Sequence, residues 1–367
     1  MYNYLERNRK MAKKPKALVD EALFQSAEDA LKVECVNNCV VPVGPALDAK
    51  LGGGIPEGSL VLIRTLAKVG KSTIAMQIAA NAIAQGRYVI YADIECRLNG
   101  YKYFQIRGFD PKSKKFKILR SLPGQPTLSG NKIYKTIKDM MGLPQYAGAV
   151  YIIDSFSKVI PEETLIDSEI KADRRDTTPK LNADFCKKVG NLVRTTRSIV
   201  IGIQHFITNT SGYGDPLVPD GGVKLEYECD IVFEARHKPF SWLGERLGKS
   251  TDIPGQLIKF QLPYNKKLAP YVSKDEPIEC YIKFGEGIYW AREALDVLPE
   301  TGLLAIKGAW YYFILPDGTE IKAQGSEKAV AAIEENREIF EKVIKDYFIE
   351  KYKISYEFTP PEIEEEE

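Results

Sequence analysis

A strand, a short loop and a helix are written in LVLIRTLAKVGKSTIAMQIA, with Gly70, Lys71, Ser72 and Thr73 at the turn. Side chains of these types in that setting hold phosphates. Backbone N–H groups and a helix N-terminus cradle the oxygens, a lysine neutralises the terminal phosphates, and a hydroxyl ligates Mg2+. Lys71 and Ser72 fit the last two roles, and Lys68, Val69, Gly70 and Thr73 complete the loop. ATP with Mg2+ is therefore the expected cofactor. The full spacing asks for glycine at position 65, where this chain carries Thr65. That departure bears on the turn of the loop more than on nucleotide binding itself. Gly-Lys-Ser alone is a common tripeptide; the apolar strand before it and the helix after it give it weight.

A phosphate loop of this kind needs an acid at the end of a neighbouring apolar strand to help hold the metal. AVYIIDSFS supplies one, Asp154, which with Ser72 makes the expected Mg2+ pair. YVIYADIECRL places Asp93 and Glu95 on or just beyond another apolar strand. In a parallel sheet the carboxyl ends of the strands line the ligand crevice, so a carboxylate there can orient the water that attacks the γ-phosphate. Glu95 is the expected catalytic residue, with Asp93 as the alternative or a structural partner. Gln204 ends a further strand, where an amide can sense the γ-phosphate. The segment after it, HFITNTSGYGDPLVPDGG, reads as a long polar glycine-rich loop.

These side chains need a sheet to hold them. Apolar runs at Leu60–Ile63, Tyr88–Ile94, Val150–Ile153, Ser198–Ile203, Ile231–Phe233, Gln256–Leu262 and Ile278–Phe284 read as strands, and Ser72–Gln85 as a helix. Strands alternating with helices imply a mostly parallel twisted sheet covered on both faces. The later strands follow one another closely, which implies an antiparallel extension. Residues 17–34 read as an amphipathic N-terminal helix. From Ala291 the pattern changes to a helix, a hairpin turning at Pro316-Asp317-Gly318, and a long helix from Glu327 to about Lys351. The expected fold class is α/β, with an arm and helix over 1–40, an ATPase core over 41–290, a small C-terminal α/β domain over 291–353 and an acidic tail over 354–367.

With 44% apolar and 28% charged residues, the 367-residue chain is composed like an ordinary globular protein. No apolar run is long enough to span a bilayer, and no apolar core follows the basic N-terminus as in a secretory signal. No membrane partner and a cytoplasmic location, bacterial or in an infected host cell, are expected. Cys35 and Cys39 are the only close cysteine pair, too few ligands for zinc. The net charge of +1 hides segregation: Arg7, Arg9, Lys10, Lys13, Lys14 and Lys16 open the chain and EFTPPEIEEEE closes it. A polyanion-binding protein need not be basic overall if its charge is segregated.

The chain resembles bacterial RecA recombinases, of a divergent or phage type. LDAKLGGGIPEGSLVLI resembles the family's lead into its phosphate loop, YADIECRL the segment bearing its catalytic glutamate, and YIIDSFSKVIP its metal-binding strand. The resemblance continues through GNLVRTTRSIVIGIQ, IKFGEGIYW, KGAWYYF and IKAQG, and so covers nearly the whole chain from about Val41. It implies that Tyr103 stacks on adenine, that Gln204 senses ATP, and that Lys266, with Lys267 as a substitute for the family's other lysine, reaches ATP on a neighbouring subunit. It also implies two DNA loops, one within EETLIDSEIKADRRD and one from Gln204 to Gly222. The second departs from the family in lacking basic residues. DNA contacts are expected from Arg174, Arg175, Lys187, Lys188, Phe206, Gly212, Tyr213, Gly221 and Gly222.

The resemblance implies a DNA-dependent ATPase that polymerises as a helical filament on single-stranded DNA and exchanges strands with a duplex. Single-strand-binding or loader proteins are further candidate partners. Two alternatives share the motifs: a ring-forming motor or helicase on the same core, and a DNA-coating accessory protein that binds ATP without hydrolysing it.

Overall fold

The computed structural model describes residue 26 and residues 38–98, 105–166, 176–210, 213–242, 255–266 and 276–361, without the side chains of 240–242 and 264. The N-terminal helix expected over 17–34 falls outside them, apart from residue 26. The fold opens with β1 (Val40–Val41) and β2 (Ile55–Pro56), an antiparallel pair. Between them lies α1 (Pro45–Leu51), begun by a proline in its first turn and ended by Gly52 at φ 73°.

The sheet is then assembled from β3 (Ser59–Thr65), β4 (Val89–Asp93), β5 (Phe116–Leu119), β6 (Val150–Asp154) and β7 (Ile199–Thr208). It continues with β8 (Leu217–Pro219), β9 (Ile231–Ala235), β10 (Phe240–Trp242), β11 (Gly255–Asn265), β12 (Ile278–Lys283) and β13 (Gly287–Ile288). Their order is β13-β12-β11-β9-β3-β7-β6-β4-β5, with β10 paired to β11 and β8 to β7. Neighbours from β9 to β5 are parallel, and β11, β12 and β13 extend the sheet antiparallel. The α/β class and the antiparallel extension expected from the sequence are both present.

Why strands this apolar must lie at the centre follows from their two faces. Val61 and Ile63 of β3 join the core formed by α2 (Lys71–Ala84), whereas Leu60 and Leu62 join the opposite core. That second core is closed by α3 (Gly130–Met141) and α5 (Thr178–Thr195), which follows the short α4 (Glu162–Ile166). A strand covered on both faces needs apolar residues at every position rather than at alternate ones. Gly202 of β7 is required by packing: a Cβ there would sit 1.9 Å from Cε2 of Phe156.

Three details differ from the sequence reading. The 205–222 segment is not simply a polar loop: β7 runs on to Thr208, and β8 folds back on it with Phe206 opposite Pro219 and Thr208 opposite Leu217. Aromatic and β-branched residues in HFIT favour that hairpin over open loop. Edge strand β5 was not anticipated. The single C-terminal helix is two, α8 (Ser326–Glu335) and α9 (Arg337–Tyr352), because Asn336 leaves helical geometry and its Nδ2 donates to the carbonyl of Ala332, 2.9 Å away.

These helices pack with α7 (Trp290–Val297) on the antiparallel sheet β14 (Leu304–Lys307), β15 (Trp310–Ile314) and β16 (Glu320–Gln324). Beyond α9 the chain returns to the core: Ser355 bridges Cys39 in parallel, and the Tyr356 hydroxyl donates to Gly53 O at 2.7 Å. Among the described residues no helix is long and apolar enough to cross a membrane.

Candidate nucleotide site and the loops beside it

β3 delivers Arg64 and Thr65 to the carboxyl edge of the sheet, and the chain turns through Leu66–Gly70 into α2. No side chain caps the N-terminus of α2, so its first-turn amides are available to an anion. Gly70 sits at φ 96°, and a Cβ there would lie 2.6 Å from Cδ1 of Ile282 and 2.8 Å from Nε2 of Gln256. That same Gln256 amide donates to Val69 O at 3.0 Å. The antiparallel extension therefore braces the phosphate loop from behind. Lys68 is exposed at the loop tip, at φ 63°.

Lys71 is buried, and its Nζ donates to Thr65 Oγ1 at 3.0 Å and to Leu66 O at 2.7 Å. Burial lowers its pKa to about 8, against the attraction of Asp154 and Glu95. The residue that departs from the usual glycine thus puts its hydroxyl on the lysine that would meet the phosphates.

Asp154 closes β6 opposite Asp93 of β4. Its Oδ2 accepts from Ser72 Oγ at 2.8 Å and from the Tyr91 hydroxyl at 2.6 Å. Burial raises the Asp154 pKa, and those two hydrogen bonds oppose the rise. A hydroxyl and a carboxylate converging beside an uncapped helix N-terminus are hard oxygen donors suited to Mg2+, and the residues present fit MgATP. The two acids of YADIEC divide their work. Asp93 is buried and accepts from the backbone N–H groups of Arg97 and Leu98, each at 3.0 Å, so it braces the turn after β4. Glu95 instead faces across the edge: Ser155 Oγ donates to its Oε1 at 3.0 Å, and His205 Nε2 lies 3.3 Å from the same oxygen. His205, helped by Ser155 and Arg97, holds the Glu95 carboxyl down to about 2, against burial.

Gln204 is fully buried beside Arg64, which donates to its Oε1 at 2.8 Å. Its Nε2 donates to Asp220 O and Gly222 O, both at 2.9 Å, so the amide ties the end of β7 to the far end of the 205–222 segment. The residues expected to meet DNA divide. Lys187 and Lys188 are exposed on α5, and Tyr213 is 89% exposed. Phe206 is buried, its ring under the guanidinium of Arg236 at 4.9 Å and near that of Arg64 at 5.7 Å. Gly221 and Gly222 pack instead on Phe156, Asn182 and Pro179. Lys266 is exposed, and its Nζ donates to Tyr227 O at 2.9 Å. Tyr103, Arg174, Arg175, Gly212 and Lys267 lie outside the described residues.

Residues 11–289 match the family described as the RecA N-terminal domain. The chain belongs to the RecA family. Proteins named RecA are similar over most of its length: 27% identical in Oleidesulfovibrio alaskensis, covering 84% of this chain and 81% of that protein. The RecA protein of Thermotoga maritima is 26% identical over 82% of this chain and 79% of its own length. Among solved structures, a RadB recombinase aligns with a TM-score of 0.45 at 19% identity, over 66% of this chain and 95% of that one.

Membership places the chain among P-loop ATPases of DNA recombination and repair. Several residues of this RecA-family site were not picked out from the sequence: Tyr91 and Ser155 on the acids, His205 on Glu95, and Arg64 on Gln204. One signal was visible. An arginine inside the apolar run LVLIR is costly to bury unless a partner waits for it.

Proposed function

We propose that this RecA-family protein is an ATP-driven DNA recombinase that assembles head to tail on single-stranded DNA and pairs it with a duplex. The observation that carries the reading is the wiring of one sheet edge. Lys71, Ser72, Asp154 and Glu95 meet there, while Gln204 joins the same edge to the 205–222 segment.

In this reading Lys71 and the first amides of α2 hold the phosphates of ATP, with Tyr103 on the adenine. Ser72 and Asp154 hold Mg2+, and the Tyr91 hydroxyl keeps the Asp154 oxygen turned toward Ser72. The bound MgATP supplies the γ-phosphoryl group and the charge that neutralises it. Glu95, with its carboxyl held near 2, is a weak proton acceptor at neutral pH, so its part is to orient the attacking water. Lys266 and Lys267 reach the neighbouring subunit's nucleotide, and such a heterologous contact that does not close generates a filament.

Lys187 and Lys188, with Arg174 and Arg175, supply the cationic charge that draws DNA. Tyr213 offers a face for a base. Phe206, Gly221 and Gly222 contact DNA only after the β7–β8 hairpin leaves its packing. Single-strand-binding or loader proteins stay candidate partners.

Lys71→Ala tests the site. It should abolish the rise in thermal stability that MgATP confers and lower hydrolysis by about 10²-fold or more, as removing one positioned electrostatic group does. Hydrolysis at the unmodified rate would move the nucleotide elsewhere. Electron microscopy with ATP and single-stranded DNA separates a helical filament from a closed ring.

A further inference from the structure

Arg64 occupies a place where a RecA-type sheet edge must carry information, because Thr65, its neighbour, touches Lys71. In register, Arg64 lies opposite Gln204 on one side and Glu234 on the other. Its side chain is 2% exposed. Nε donates to Gln204 Oε1 at 2.8 Å, and Nη1 to Glu226 Oε2 at 2.9 Å and Glu234 Oε1 at 2.8 Å. Glu226 stands on α6 (Leu225–Glu228), just beyond the 205–222 segment.

We propose that Arg64 is a positioning residue that locks Gln204 onto the 205–222 segment and so links the phosphate loop to that segment. A primary amide presents an acceptor on one side and donors on the other. A guanidinium on the Gln204 oxygen forces the NH2 group the opposite way, onto Asp220 O and Gly222 O. Flipping the amide would set donor against donor at Arg64 and acceptor against acceptor at the two carbonyls. While Arg64 holds, the segment is shut at its far end and the Gln204 amide is fully engaged.

A second guanidinium repeats the clasp. Arg236 binds Glu234 Oε2 at 3.0 Å, pairs with Asp215, and covers the Phe206 ring. The lock is built to open. Among the described residues, the buried Arg64 Nη2 has no hydrogen-bond partner, and Glu226 is 30% exposed. One bond is therefore missing from the present arrangement and another is within reach of water, which is the condition of a network with a second arrangement available. A change at Thr65 when the phosphate loop fills reaches Arg64 through one peptide unit, and Gln204 can then release the two carbonyls.

This proposal rests on the reading of Leu66–Ser72 as the ATP site, so its first test uses no nucleotide. Arg64→Lys keeps a cation between Glu226 and Glu234 but removes the Nε donor. In the full-length protein without ligand, amide exchange in residues 217–222 should rise about tenfold, while residues 60–63 and 199–203 change less than about twofold. An unchanged rate in 217–222 overturns the proposal. If Arg64→Lys loses protection throughout, Glu226→Gln decides. The same segment should then exchange about threefold faster, and no change there would sink the idea.

The coupling is read separately as the ratio of ATP hydrolysis with and without single-stranded DNA. It should fall about threefold or more in Arg64→Lys, mainly because the DNA-free rate rises. An unmodified protein whose thermal stability MgATP does not raise would defeat the ATP-site reading and leave the exchange result standing.

Discussion

Two buried arginines, one at each edge of the parallel sheet, use the same chemistry to different ends. Arg87 lies at the amino edge, before β4, and is wholly buried. Its Nε donates to Gln85 Oε1 at 3.0 Å, Nη1 to Gly148 O at 2.9 Å, and Nη2 to Glu57 Oε1 at 2.6 Å. Phe358, from the returning C-terminal segment, covers the guanidinium at 3.9 Å. Arg197 shares Glu57 and also reaches Thr359 O. Apart from that covering segment, every partner belongs to the scaffold, and every nitrogen of Arg87 is used. Arg64 at the carboxyl edge has one nitrogen with no hydrogen-bond partner among the described residues, and its partner Gln204 is tied to a hairpin. Both charges are paired, but a guanidinium bonded at every nitrogen to the scaffold holds it in one arrangement, whereas one with a nitrogen left over and a hairpin among its partners can exchange bonds, as proposed for Arg64.

The comparison predicts that damage at the two edges separates into loss of function and loss of stability. At the carboxyl edge, Glu95→Gln should keep MgATP binding and lower hydrolysis by about 10²-fold, because the amide puts an N–H donor where a carboxylate oxygen must accept from the attacking water to orient it. The melting temperature should move little. A fall in rate below about threefold would reassign the role to Asp93 or another group, against the geometry that has Asp93 bracing a turn.

At the amino edge, Phe358→Ala should cost about 1–2 kcal/mol in denaturant unfolding, since it uncovers a buried guanidinium. ATP hydrolysis per folded molecule, and its response to DNA, should be unchanged. A Phe358→Ala protein with altered DNA response would erase the distinction between a static edge and a moving one.

How much of this was written in the sequence follows the same division. The placement of Lys71, Ser72, Asp154, Glu95 and Gln204 at one sheet edge was legible, because a motif on a β–loop–α unit leaves its side chains little choice of direction. The antiparallel extension was legible from strand spacing. The family resemblance implies DNA contacts at Phe206, Gly221 and Gly222, but no resemblance of sequence shows that the phenylalanine lies under an arginine thirty residues on, or that the two glycines pack against Phe156 and Pro179. The β7–β8 hairpin was hidden by glycines and prolines that read as loop. Thr65 was noticed as a missing glycine; its hydroxyl bond to Lys71 depends on the rotamers of both side chains. The helix break at Asn336 came from one side chain competing for a carbonyl, which helical periodicity over 327–351 does not register.

The most direct test is the initial rate of phosphate release from MgATP by the unmodified protein, with and without single-stranded DNA. A coupled edge, in which ATP and the 205–222 segment bias one another, predicts that DNA raises the rate by about tenfold or more, on the order of 1.4 kcal/mol off the barrier. Equal rates with and without DNA, in a protein that binds both, would contradict it.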